Sequence, residues 1–205
     1  MISYFSTLKI THPILPTSVG SGLVKFWSGL PCPDGQVCPK RGDFSSALIN
    51  GALPEVFLSE WEGNDELNII QAGTVLDRMI GEDLTGRNIF EMTPEPLRAA
   101  EHRYYNALRD MPCAGMMTRS APNRVGQHFF YRTLQLPLLD PFGDVHYFVG
   151  TGFVLDEAQL RSELGHGNFG DTELVERHFF DIGAGVPGRD IQENDTAQHI
   201  FFHAP

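Results

Sequence analysis

The chain lacks any apolar run near the roughly 20 residues that a bilayer-spanning helix needs. It has only three cysteines, Cys32, Cys38 and Cys113, an odd count with no C-x-x-C pair. A disulfide framework is therefore unsupported, and a reducing compartment is expected. Cations are scarce: 15 Lys and Arg against 26 Asp and Glu give a formal net charge of -11. No basic run offsets this, so neither a phosphate backbone nor an anionic membrane surface is expected as a partner. The first residues carry no charged leader, continuous apolar stretch or small-residue cleavage site, which points to the cytoplasm. Catalytic signatures are missing too: there is no G-x-S-x-G elbow, no P-loop and no glycine-rich phosphate loop after an expected strand. Gly183-Ala-Gly185 lies too near the terminus to count, and no catalytic residue is assigned.

What is present suits a folded domain. Of the 205 residues 41% are hydrophobic and 20% charged, enough to build a core without metal or disulfide staples. Pro13 and Pro16 break up the first 18 residues. Leu23, Val24, Phe26, Trp27 and Leu30 then recur at helical spacing until Pro31 and Pro33 stop them. A short helix is expected over 43–50, capped by Asp43 or Ser45. Residues 55–61 and 67–71 read as strands around the Gly63-Asn64-Asp65 turn. Thr74 caps a short helix through Met79, with Asp77 at the capping-box position and Gly81 at its end; another short element covers 84–92.

Thr93-Pro94-Glu95 reads as an N-cap and first turn. It opens a long helix that Pro112 ends, with Leu97, Ala100, Tyr104 and Leu108 on one face. Strands are expected over 114–120, 128–138 and 145–155, the last two joined by the Asp140–Asp144 turn. Leu134, Leu136 and Leu138 alternate with Thr133 and Gln135. Beyond them a short helix over 156–164, capped by Gly165, precedes a tail without clear period, in which 177–181 and 199–203 are apolar enough to dock on something.

This order predicts an α+β fold: an antiparallel five-stranded sheet with short helices on one face. The N-terminal helix, within residues 1–38, and a C-terminal extension over 156–205 lie outside the core domain at 39–155.

Local wording narrows the fold. Pro39-Lys-Arg41-Gly-Asp43-Phe44 followed by Leu53-Pro54-Glu-Val-Phe-Leu58 resembles the segment before the first strand in a group of bacterial, mainly proteobacterial, PAS-like proteins. Ala72-Gly73-Thr74, Gly81, Leu84-Thr85-Gly86-Arg87 and Phe90 resemble that group's next segment. Leu136-Pro137-Leu138, Asp140, Gly143, Val145 and Gly150 resemble its closing hairpin. The resemblance spans residues 19–155 and implies a stand-alone sensory or regulatory module, with no catalytic residues to carry over. Arg41 and Asp43 are expected either to tie the N-terminal segment to the domain or to remain a solvated pair.

Metal chemistry has thin support. Five residues separate Cys32 from Cys38, wider than zinc sites usually use, and no Cys/His pair completes a set. His102 is the nominal haem ligand on the long helix, but it lies about 140° from the apolar face. His128 and His146 sit on strands. Cys113 follows Met111-Pro112 and lacks the helical motif of flavin-adduct photosensors, so neither haem nor flavin is expected. A small-pocket isomerase or dehydratase would use His128 or Asp77 as its base, and a purely structural adaptor with a filled core is the other alternative.

The remaining expectation is an apolar pocket between sheet and helices. Met79, Phe90, Met92, Tyr104, Tyr105 and Leu108 would line it from the helices, and Phe130, Leu134 and Phe148 from the strands. The two tyrosines need hydrogen-bond partners when buried, which a small ligand can supply. Leu23, Phe26 and Trp27 form an aromatic helix face that needs its own domain, a second copy in a homodimer or a signalling protein to cover it.

Overall fold

The computed structural model describes residues 18–45, 53–123, 125–155, 171–192 and 195–203. The expected helix over 156–164 lies outside them, as does most of that over 43–50; Arg41–Asp43 forms a single 3-10 turn instead. Helix α1 (Ser18–Gly29) comes first. The hairpin β1 (Val56–Glu62) and β2 (Glu66–Gln71) follows. Helices α2 (Thr74–Ile80), α3 (Ile89–Met92) and α4 (Glu95–Asp110) then lead to β3 (Cys113–Pro122), β4 (His128–Leu139) and β5 (Val145–Val154). Two more strands close the chain, β6 (Glu173–Asp181) and β7 (Gln198–Phe202).

All seven strands form one sheet in the order β2-β1-β5-β4-β3-β6-β7. The first five are the expected sheet. The last two correct the expected strand number from five to seven: β6 runs antiparallel to β3, and β7 runs parallel to β6. Their sequences hid this because Phe179-Phe180 and Phe201-Phe202 put adjacent apolar residues on opposite faces, which erases the alternation of a half-buried strand. In the parallel register Phe179 stacks on Phe201 at 5.1 Å and Phe180 on Phe202 at 4.7 Å.

Directly paired residues share a face, so the register defines rows across the sheet. Phe57, Gly150, Gln135, Gly115 and Phe179 form one row, and Gly152, Thr133, Met117, Arg177 and His199 the next. This face meets the helices. A side chain at Gly115 would collide with the Tyr104 hydroxyl and Leu108, and one at Gly152 with Leu76 and Met79. These glycines let α4 and α2 approach the sheet closely.

The opposite face is apolar too, with Leu134, Leu136, Leu138 and Val149 wholly buried. Helix α1 packs on β4 and β5, burying Leu23, Val24 and Trp27, and Trp27 Nε1 donates to the Pro137 carbonyl at 2.9 Å. Phe26 is half-buried, edge-on to Phe44 at 5.7 Å. The N-terminal helix is therefore not outside the domain, and its aromatic face is covered by its own sheet rather than by a second copy.

Two expected caps are also corrected. The Thr93 hydroxyl donates back to the Ile89 carbonyl at the end of α3, and α4 starts at Glu95 after Pro94. Thr74 is the first residue of α2, capped by Gly73, while Asp77 accepts from the Leu84 amide across the following loop. Gly81 ends α2 at φ 95°, as the sequence predicts. No helix among the described residues is long and apolar enough to cross a membrane.

Candidate functional site

Between the sheet and α2–α4 lies a partly open cavity of about 70 Å³. Its roof is apolar, from Leu76, Met79, Ile80, Leu84, Ile89 and Met92. Its floor mixes Phe57, Ile69 and Met117 with the polar groups of Arg119, Tyr131, Thr133 and Gln135, and Tyr105 closes one side. Successive odd-numbered residues of β3 and β4 supply most of that floor, so strand alternation places every one of its polar groups.

Arg119 is the one charged residue lining the cavity among those described. Its Nη2 donates to Glu101 Oε1 on α4, and both side chains are buried. Burial alone would lower the Arg119 pKa, but the Glu101 carboxylate more than compensates and holds the guanidinium charged. The second carboxylate oxygen, Glu101 Oε2, lies 3.7 Å from Nη2 of Arg177 on β6.

Arg177 is wholly buried and holds several partners at once. Its guanidinium sits 4.8 Å over the Tyr104 ring. Its Nε donates to Asp195 Oδ2 at 2.6 Å and its Nη1 to Met117 Sδ at 3.3 Å. Asp195 also meets His199 Nε2 at 3.0 Å and accepts from the Ala197 amide at 3.0 Å. Burial pushes the Asp195 carboxyl up, but the His199 contact, the Arg177 charge and the Ala197 amide outweigh it and hold the group well below the usual carboxylate range. Two guanidinium cations thus stand against two carboxylates, a balanced set that a low-dielectric interior tolerates only when paired.

Gln135 ties this cluster to the cavity floor. Its amide is best satisfied with the nitrogen donating to Tyr104 Oη at 3.0 Å and the Gly115 carbonyl at 3.1 Å, and the oxygen accepting from the Thr133 hydroxyl at 2.9 Å. Burial drives the phenols of Tyr104 and Tyr105 well above their ordinary pKa, with the Glu101 charge adding to the effect, so both stay protonated.

Of the nine pocket residues nominated from sequence, Met79, Met92 and Tyr105 line the cavity. Phe90, Tyr104, Leu108 and Phe148 are buried beside it in the same layer: Phe90 lies 5.9 Å from Tyr105, and Phe148 lies 5.7 Å from Tyr105. Phe130 and Leu134 fall on the other face, Phe130 being 47% exposed. Their misplacement is one of parity, because Thr133 and Gln135 are the residues of β4 that face the helices. Glu101, Arg119 and Arg177 were missed as well. The signal for Glu101 was there, since it completes the i, i+4 stripe of Leu97, Glu101, Tyr104, Tyr105 and Leu108.

The other nominated groups have local roles. His102 stacks on Phe90 at 3.6 Å, and burial lowers its pKa. His128 Nδ1 lies 2.9 Å from Ser120 Oγ, and His146 lies 3.7 Å from Glu60. Arg41 donates to the Phe44 carbonyl, closing its own turn. Cys32 is exposed while Cys38 and Cys113 are buried. Among the described residues no three His, Cys, Asp or Glu side chains gather as a metal site. The stretch Gly183 to Gly188 does spell G-x-G-x-x-G after a strand. However, Asp181 Oδ1 already accepts from the Gly183 and Gly185 amides at 2.7 and 2.9 Å, and only the short 3-10 turn Arg189–Gln192 follows. The loop amides hold a carboxylate of the chain itself.

The strand order β2-β1-β5-β4-β3, with helices α2–α4 between β2 and β3 and a cavity beneath them, defines an α+β domain built around a small interior space. A family model described as PAS domain matches residues 18–152, about two thirds of the chain, and includes α1. The chain belongs to the PAS domain family, a class of sensory and signalling modules. No curated protein matches it in sequence.

Solved structures match at low identity. A light-oxygen-voltage domain studied with a flavin analogue is 18% identical, with 57% of this chain and 87% of that chain covered and a TM-score of 0.41. A Vibrio cholerae VqmA–ligand–DNA complex is 18% identical, with 53% and 49% covered and a TM-score of 0.40. An RNA-binding light-oxygen-voltage receptor is 16% identical, with 70% and 45% covered and a TM-score of 0.39. The exclusion of nucleic-acid partners drawn from net charge is therefore withdrawn. DNA- and RNA-binding proteins stand among these matches, and a whole-chain charge says nothing of how charge is distributed over a surface. The expectation against flavin remains an expectation.

Proposed function

We propose that this PAS domain is a sensor whose cavity takes a small molecule and whose occupancy is passed to the C-terminal strands through buried charge. The reading is carried by one observation: Arg119, on the cavity floor, joins Glu101, which faces Arg177, which is bonded to Asp195. A molecule that displaces the Arg119 side chain changes how Glu101 is shared between two arginines. Arg177 then shifts against Asp195, and β6 and β7 register the change.

The cavity is about half the ~150 Å³ of an engineered apolar cavity that accommodates benzene, so it suits a compact ligand of a few heavy atoms unless the roof moves. Leu76, Met79 and Met92 come from short helices, and methionine repacks readily.

Native mass spectrometry of the purified chain, paired with methyl NMR of its methionines, tests this function. An adduct of fixed small mass, released on denaturation, is expected. A chain that is bare in the native spectrum, with Met79 and Met92 methyl resonances unmoved by every member of a small-fragment library, contradicts it.

A further inference from the structure

We infer that the cavity selects uncharged ligands carrying a hydrogen-bonding head, such as a small ketone, amide or alcohol, and rejects carboxylates of the same shape; the inference rests on the cavity being a ligand site. An arginine in an apolar pocket ordinarily reads as an anion receptor. Here that reading fails on charge balance. Arg119 already donates to Glu101, whose carboxylate is wholly buried and lies 3.7 Å from Arg177; Arg177 in turn holds Asp195. Two cations and two anions leave no uncompensated positive charge for an incoming carboxylate.

An acid entering the cavity would add a third buried anion within reach of Glu101. One carboxyl would then have to take up a proton, or the acid would stay in water. A neutral head meets no such penalty. Thr133 and Gln135 on the floor and Tyr105 at the side present hydroxyl and amide groups, and the roof offers only apolar side chains. The polar groups that fix orientation are thus dipoles, and the charge beside them serves the internal cluster.

2-Butanone and propanoate form the discriminating pair, since each has five heavy atoms and nearly the same outline. The readout is methionine methyl NMR of the full chain near neutral pH, using Met79, Met92 and Met117 on the cavity and the exposed Met111 as a control. Saturable shifts at the three cavity methyls with 2-butanone, and an apparent affinity for propanoate at least tenfold weaker, are expected. Propanoate binding as tightly as 2-butanone, or tighter, overturns the inference and leaves the ligand site standing. Failure of both to shift those methyls at about 100 mM overturns the ligand site and the inference together.

Glu101→Gln supplies a second test, because it removes one anion and leaves Arg119 without its carboxylate. Preference should swing toward propanoate by at least tenfold relative to the wild type. An unchanged preference in a folded Glu101→Gln variant overturns the charge-balance argument. If that variant does not fold, the wild-type pair decides alone.

Discussion

Glu101 Oε2 and Arg177 Nη2 face each other at 3.7 Å, both fully buried, and neither makes a hydrogen bond among the described residues. One residue lies on the long PAS helix and the other on a strand beyond the family match, so this pair links α4 to the C-terminal strands beside the β3–β6 ladder. Removing one member leaves buried charges of like sign without compensation. Glu101→Gln should therefore lower unfolding free energy by roughly 3–5 kcal/mol, measured by urea denaturation. Glu101→Leu combined with Arg119→Met should recover part of that loss, because an apolar pair needs no counter-charge.

Asp195 gives the cluster a pH dependence. Its carboxyl is held well below the usual range in the folded chain, against about 3.9 when unfolded. The folded state therefore favours the ionised form, and this contribution to stability is present above the unfolded pKa. It is lost as pH falls through about 4 toward the folded value. The wild type should lose stability on acidification below about pH 4 more steeply than Asp195→Asn does, as thermal melts across that range would record.

Glycines supply two predictions of opposite sign. A methyl at Gly115 runs into Tyr104 and Leu108, so Gly115→Ala should destabilise by roughly 1–3 kcal/mol. A methyl at Gly22, inside α1, meets nothing within 4 Å, so Gly22→Ala should stabilise by about 0.5–1 kcal/mol. Paired chemical denaturation of the two variants checks both.

The thiols should separate cleanly. Cys38 and Cys113 are buried, and burial pushes the Cys38 thiol up to about 12 with the neighbouring Cys32 adding to it. A disulfide reagent at pH 8 should label the exposed Cys32 in the native protein, and all three cysteines only after denaturation.

The five core strands and the three helices over the sheet were legible because each carries a local signal. The β1–β2 hairpin has its Gly63 turn, α2 has its Gly81 stop, and β4 and β5 alternate around the Asp140–Gly143 turn, where Asp140 Oδ1 accepts from the Phe142 and Gly143 amides. The outer two strands were not legible, since both faces of β6 and β7 carry aromatic residues. The site was legible only in part. Alternation marks two faces on β4 without saying which one meets the helices, so Leu134 was placed where Gln135 stands. Buried charge is harder still. Glu101 meets Arg119 across 18 positions of sequence and Arg177 across 76, and a charged residue with a distant partner looks like a solvated one until the fold joins them.

The path from cavity to C-terminal strands is tested most directly by titrating the full chain with 2-butanone while following backbone amide and methionine methyl resonances together. The amides of Arg177, Ala197 and His199 should shift in step with the Met79 methyl and with the same apparent affinity, and should lose that response in Arg177→Met. Shifts confined to Met79, Met92 and their neighbours, with β6 and β7 unmoved in the wild type, would contradict it.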